Sequence, residues 1–348
     1  MDSNGRTPGN VGLLFDIENG KVVSEVYKHY DNLFRAFYNE KPVLNDTNIA
    51  TVLNDCVGLI DVAETMGSIG IVSESVDIAL LRQGQVLFRS IATNAIAWAD
   101  LASRVRSPTI FKEALIHLIG QWNRLSQADR DTLSPEVLKV CQRKHDDLNI
   151  VKQAIEIRIL GHYPGVVQRQ ALANPGRMSY SNDIYMWMVL SLFRHWFSQS
   201  VCEQRNFLCK DGGATLYRQI GEGGHTYLDR KTLEGFHSYF PMSAKGMSVL
   251  ENHLSVYKQE LKPFVSALLK HHSQLDVSEE AVPYLTCCVV DKSDYPWNKE
   301  RVESTAARDG GSVRKRHYDD AELDDHDEEM LANMSKFVTY GDGGMARS

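Results

Sequence analysis

The chain has 348 residues, is 43% hydrophobic and 24% charged, and carries a formal net charge of −7. That length suits two domains or one large one, and the acidic balance argues against gripping nucleic acid through clustered Lys and Arg. No run approaches the roughly eighteen apolar residues of a membrane span, and the opening MDSNGRTPGN lacks the apolar stretch of a secretory signal.

The first helical segment, YKHYDNLFRAFYNE at 27–40, runs into a break, KPVLND, followed by TNIATVLNDCVGLIDVAETMG and IGIVSESVDIALL. On the second of these helices Ile49, Val52, Leu53, Cys56, Leu59, Ile60, Ala63 and Met66 recur at three- and four-residue steps, which predicts one packed face. Asp46 or Thr47 is placed to cap its start, and Gly67 sits where a left-handed stop costs least. Short helices are predicted over 83–93 and 95–104. Ser107–Pro108 then marks a helix start, a capping hydroxyl followed by proline in the first turn, and Ile110, Phe111, Ala114, Leu115, Leu118, Ile119 and Trp122 form its apolar stripe.

A polar connection at 123–131 leads to a second Ser–Pro start at Ser134–Pro135. The helix that follows runs towards Leu160 with Leu138, Cys141, Leu148, Val151 and Ile155 inward, and Gly161 to Gly165 ends it. After a loop at 171–182, DIYMWMVLSLFRHWFSQSVC is apolar almost all round, which predicts a central helix. Residues 210–224 are glycine-rich and turn-like. Helices are predicted over 231–240, 243–260 and, past a kink, 263–272, and YLTCCVV at 284–290 is a strand candidate. From residue 299 the composition turns polar: Arg314, Lys315 and Arg316 form a short basic cluster, and eight carboxylates between Asp319 and Glu329 predict a disordered acidic tail.

Residues 11–122 resemble the carboxyl-terminal half of a fungal-type BTB/POZ domain with a helical extension. The resemblance rests on LLFDI at 13–17, on Leu33, Phe34, Phe37 and Tyr38 set beside the family's aromatic LxxFxY, on Pro42–Leu44, on Val62 to Gly67, and on the extension LFRSIATNAIAWADLASRVRSPTIFKEALIHLIGQW. It implies a partial BTB/POZ-like helical unit with one or two short strands at 11–122; with the pattern of the remaining residues, the fold is expected to be mainly α, with a mostly α-helical domain at 134–290 and a disordered charged tail at 299–348. It also implies a protein–protein interaction module, an adaptor or regulatory scaffold, with Leu33, Phe34, Phe37 and Tyr38 as the candidate surface. The half of such a domain that carries the dimer surface and the cullin grip has no counterpart in the ten residues before Val11. Homodimerisation and cullin binding are therefore not expected, and an upstream segment skipped in the gene reading would account for the gap. The protein partner itself is not named by the sequence.

No catalytic, metal or cofactor site is predicted. His195, Cys202, Cys209 and His225 lack the C-x-x-C spacing of a zinc knuckle, and His195, within an apolar helix, is expected in the core. The alternative is an enzyme of unstated class whose site lies in the second helical domain, using His195, His225 or His237 with a carboxylate such as Glu222. The six cysteines, several at apolar helix positions, fit reduced core thiols of an intracellular protein. The basic cluster adds the nucleus as a destination beside the cytoplasm.

Overall fold

The computed structural model describes residues 17–18, 21–22, 25–164, 167, 184–203 and 205–298. The chain divides into two units, Met1–Glu300 and Arg301–Ser348, and every described residue belongs to the first. The strand expected at 13–17 (all but its last residue), the loop at 171–182, the basic cluster and the acidic run lie outside the described residues.

The protein is mainly helical. A two-residue hairpin, β1 (Ile17–Glu18) and β2 (Lys21–Val22), pairs antiparallel with Ile17 opposite Val22. Then come α1 (Glu25–Phe37), α2 (Ile49–Thr65), α3 (Ile69–Leu81), α4 (Gln85–Thr93), α5 (Ala95–Val105), α6 (Pro108–Gly120), the short α7 (Gln127–Asp131) and the long α8 (Pro135–Gly161). Beyond it lie α9 (Ile184–Cys202), α10 (Ala214–Glu222), α11 (Arg230–Tyr239) and α12 (Ala244–Val265).

Local chemistry sets most of the starts. Ser107 and Ser134 each accept a hydrogen bond from a backbone N–H of the first turn, with proline at the first helical position, so α6 and α8 begin where the Ser–Pro pairs predicted. Helix α2 is capped by Asn48, not by Asp46 or Thr47. The Asn48 side chain accepts from the Thr51 N–H while Thr51 Oγ1 returns a bond to the cap, and this reciprocal box outcompetes a cap placed one or two residues earlier. Gly67 has φ of 63°, the left-handed stop expected of it.

Two apolar cores form, and α8 runs through both. The first gathers α1 to α6 with the front of α8, through Val137, Val140 and Cys141, and is completed by Leu275, Val282 and Tyr284 from far along the chain. The second gathers Ile155 and Ile159 of α8 with α9 to α12. Leu148 packs against both, so the change of core falls within one continuous helix and not at the polar connection 123–131, which folds as a single 3₁₀ turn and α7.

Residues 284–290 are extended but pair with no strand among the described residues. They thread between the two cores with a side-chain period of two. Tyr284, Cys288 and Val290 join the first core, while Leu285 and Cys287 join the second. No sheet edge is there among the described residues; the His272 N–H donates to the Thr286 carbonyl (3.0 Å), and side chains serve others. Arg218 donates to the carbonyls of Val282 (3.0 Å) and Tyr284 (2.8 Å), and Lys144 Nζ donates to that of Val289 (3.1 Å). The passage is tight. A Cβ added to Gly120, at the end of α6, would lie 2.4 Å from the Leu285 carbonyl oxygen and 2.6 Å from the Tyr284 ring. The Gly120→Ala variant is therefore expected to lose about 1–3 kcal/mol, the usual cost of overpacking. Chemical denaturation measures it, and an unchanged midpoint would show that the extended segment yields.

Two further expectations are corrected by packing. Helix α9 is not surrounded. Met186, Val189, Leu190, Phe193 and Phe197 are buried, while Ser191, His195, Ser198 and Gln199 face solvent, because its aromatic bulk is spent on one side and at the flanks. Helix α12 continues through Pro263 to Val265 before breaking into turns, since a proline so near the end removes only one bond of the last turn.

Candidate interaction surfaces

Helix α1 is fixed to α2 from its polar side. Asn32, buried, donates to the Val43 carbonyl (3.0 Å) and accepts from the Val43 N–H (2.7 Å), pinning the 41–46 segment alongside the helix. Lys28 bonds Asp55 at 2.6 Å, and Asp55 also accepts from the Asn45 N–H. Of the four predicted surface residues, Leu33 is fully buried in the first core. It cannot contact a partner, because its place next to buried Asn32 and one turn before buried Ala36 turns it into the core. Phe34, Phe37 and Tyr38 remain outside, at 50%, 44% and 80% exposure, with the two phenylalanine rings 6.4 Å apart.

The second core is built on stacked rings. Phe193 lies against Phe197 and Tyr257, and Trp196 stacks on Tyr227 at 4.3 Å. Lys258, buried on α12, points Nζ at the face of Tyr227 (4.6 Å) and donates to the carbonyls of Gly224 (2.6 Å), Tyr227 (2.5 Å) and Leu228 (3.2 Å). One ammonium thus organises the whole turn before α11, where Leu228 adopts a φ of 45°. Burial pushes the Lys258 ammonium down to about 8, opposed by the charge of Asp229.

Asp229 caps α11, accepting from the Thr232 N–H (3.0 Å) and hydroxyl (2.6 Å). The helix ends in an aromatic cluster. Phe236 and Phe240 stack at 5.0 Å, and Tyr239 and Phe240 are 82% and 61% exposed. Beneath them His237 is buried, and neither ring nitrogen has a hydrogen-bond partner among the described residues. Aromatics at a helix end have the same pattern in the sequence whether they enter a core or face outward, so only the packing reveals the exposure of Tyr239 and Phe240.

Two polar constellations have catalytic-looking composition. In the first core Glu113, His117, Ser273 and Tyr284 are all buried. Glu113 accepts from the Ser273 hydroxyl, from the Gln274 N–H (2.9 Å) and from His117 Nε2 (3.1 Å), and His117 Nδ1 meets the Tyr284 hydroxyl at 2.9 Å. A nucleophilic triad needs hydroxyl and carboxylate on opposite ring nitrogens. Here both meet Nε2, Ser273 at 3.2 Å, so the arrangement is a latch between α6 and the chain at 273–284. Burial works to raise the Glu113 pKa, but its three hydrogen bonds prevail and hold it below the ordinary value. In the second core, the Tyr217 hydroxyl donates to Glu156 at 2.6 Å, and burial pushes the Glu156 carboxyl up and the Lys152 ammonium down.

The residues of the enzyme alternative are not brought together. His195, His225 and Glu222 are exposed and His237 is buried, and no hydrogen bond or ion pair joins any two of them. The expected core place of His195 is corrected by the one-sided packing of α9. No group of three His, Cys, Asp or Glu among the described residues is arranged to hold a metal. The described cysteines are free thiols, and burial pushes Cys56, Cys141 and Cys288 up to about 12. No described helix is long and apolar enough to cross a membrane.

Comparison with known families gives a match that falls on the second core. Residues 164–267 match the family model of the FF domain in its fungal type. The match covers less than a third of the chain, and spans α9 to α12 with nearly all of the second core. FF domains are protein-interaction domains. No BTB/POZ family is detected, which overturns the resemblance drawn for residues 11–122. Apolar residues at three- and four-residue steps with aromatics at a helix end occur wherever helices pack, so that pattern did not discriminate. No curated protein matches the chain, and no solved structure does.

Proposed function

We propose that the chain is a non-catalytic protein-interaction module whose partner seats on the 164–267 unit, at the aromatic end of α11. The observation that carries this reading is the FF match together with Tyr239 and Phe240, exposed at the end of a helix that packs Leu233 into the second core, with half-buried Phe236 stacked beneath Phe240. Exposed aromatics on a rigid support are what interface hot spots use, because large area is gained with little side-chain entropy lost. Residues before 164 then act as a scaffold that holds this unit, and the module works inside the cell, in cytoplasm or nucleus.

The test is affinity purification of the full-length chain from native cells, with partners scored at stoichiometric levels. The double variant Tyr239→Ser/Phe240→Ser is expected to weaken capture about thirtyfold or more, the signature of a hot spot. Its melting temperature should stay unchanged, since neither ring is buried. Retention in that variant and loss in Phe34→Ser/Phe37→Ser would move the site to α1.

A further inference from the structure

The first core carries an opening that the FF-like unit does not use. Between the 41–46 segment and α3 lies an open cleft. Leu44, Val52, Ile78 and Ala79 supply its apolar lining, and Lys41 and Arg82 stand at it with Asp46 as its one acid. Neither Lys41 nor Arg82 forms an ion pair among the described residues, although their neighbours do: Lys28 is taken by Asp55, Arg35 by Asp31 and Glu40, and Arg104 by Asp61 and Glu64. With Lys41, Arg82 and Asp46 at its rim, the cleft is locally cationic in a chain of net charge −7.

The cleft wall is held firmly. Asn32 bonds Val43 in both directions and Asp55 holds the Asn45 N–H, so the 41–46 segment cannot fold down over the opening without breaking three hydrogen bonds. Ile78, 45% exposed on α3, keeps the apolar face open towards solvent.

We infer that this cleft docks an acidic peptide segment of a protein partner, with an aliphatic side chain against Leu44, Ile78 and Ala79 and flanking carboxylates on Lys41 and Arg82. The choice of occupant rests on charge complementarity: a basic or neutral peptide would leave both cations without a counter-charge beside an apolar wall. This surface is separate from the aromatic end of α11, so the chain presents two docking points and holds two partner segments at once.

Fluorescence anisotropy on the full chain tests it, with three labelled peptides: Glu-Asp-Leu-Ile-Glu-Asp, Gln-Asn-Leu-Ile-Gln-Asn and Lys-Lys-Leu-Ile-Lys-Lys. The acidic peptide is expected to bind best, to weaken as salt rises, and to lose at least about tenfold in affinity in the Lys41→Glu/Arg82→Glu variant. The Ile78→Ser variant should weaken it independently of salt. Equal binding of all three peptides, no binding of the acidic one, or indifference to the charge reversal would overturn the assignment. So would a concentration-dependent dimer lost in the same variant, which would give the cleft to a second copy of the chain.

Discussion

Replacing Lys258 with Met should destabilise the protein by about 2 kcal/mol or more, because the buried carbonyls of Tyr227 and Leu228 and the more open one of Gly224 lose their donor at once. The Met side chain keeps most of the aliphatic packing, so the loss reports on the ammonium. Nζ serves Gly224, Tyr227 and Leu228 together, and those residues form the turn that leads into α11. Desolvating the lysine lowers the net gain, as its depressed pKa shows. Taking the charge away, however, leaves the carbonyls buried and unserved, and the penalty falls on them. Denaturant unfolding gives the magnitude, and amide exchange gives the place: residues 224–230 should lose protection before the rest of the second core. If exchange rises evenly over α9 to α12, Lys258 is a general packing residue and not the organiser of the turn. Partner capture should fall in the same variant, since α11 carries the aromatic cluster.

The Glu113→Ala variant should cost a further about 3 kcal/mol by the same reasoning in the first core, where Ser273, Gln274 and His117 each lose an acceptor. The wild-type group also sets a pH dependence. Its folded pKa lies below the ordinary value of 4.5. The stabilisation is thus fully present above about 4.5 and is lost as pH falls from there through the folded pKa, because the unfolded chain takes up the proton first. Unfolding free energies between pH 7 and pH 3.5 should fall more steeply in the wild type than in Glu113→Gln, which has no carboxyl to protonate at that position. Parallel curves would assign the acid sensitivity to other carboxylates.

Much of the helical outline is carried by neighbouring residues. The Ser–Pro pairs at 107–108 and 134–135 start α6 and α8, Gly67 stops α2, and the stripe from Ile110 to Trp122 is buried as its spacing predicts. Caps and 3.6-residue periodicity act over one or two turns, so a single stretch of chain contains all the information they need. The candidate surfaces were legible only in part. Exposure of Phe34, Phe37 and Tyr38 and burial of Leu33 beside them depend on where α2 lies, and exposure of Tyr239 and Phe240 depends on what packs against α11 among the described residues.

What the packing decided is where polar groups are buried and how distant segments meet. Glu113 reaches Ser273 and Gln274 across 160 and 161 residues of chain, and Lys258 reaches back 30 or more to a turn. Residues 284–290 have the composition of a strand yet lie in a slot between two cores. Strand composition favours an extended backbone, but pairing needs a partner edge, and the slot supplies helices with Arg218 and Lys144 in its place. Periodicity places a residue on a face of its own helix; only the assembled helices determine what that face meets, and burying a charge is tolerable only where they bring its partners within hydrogen-bond reach.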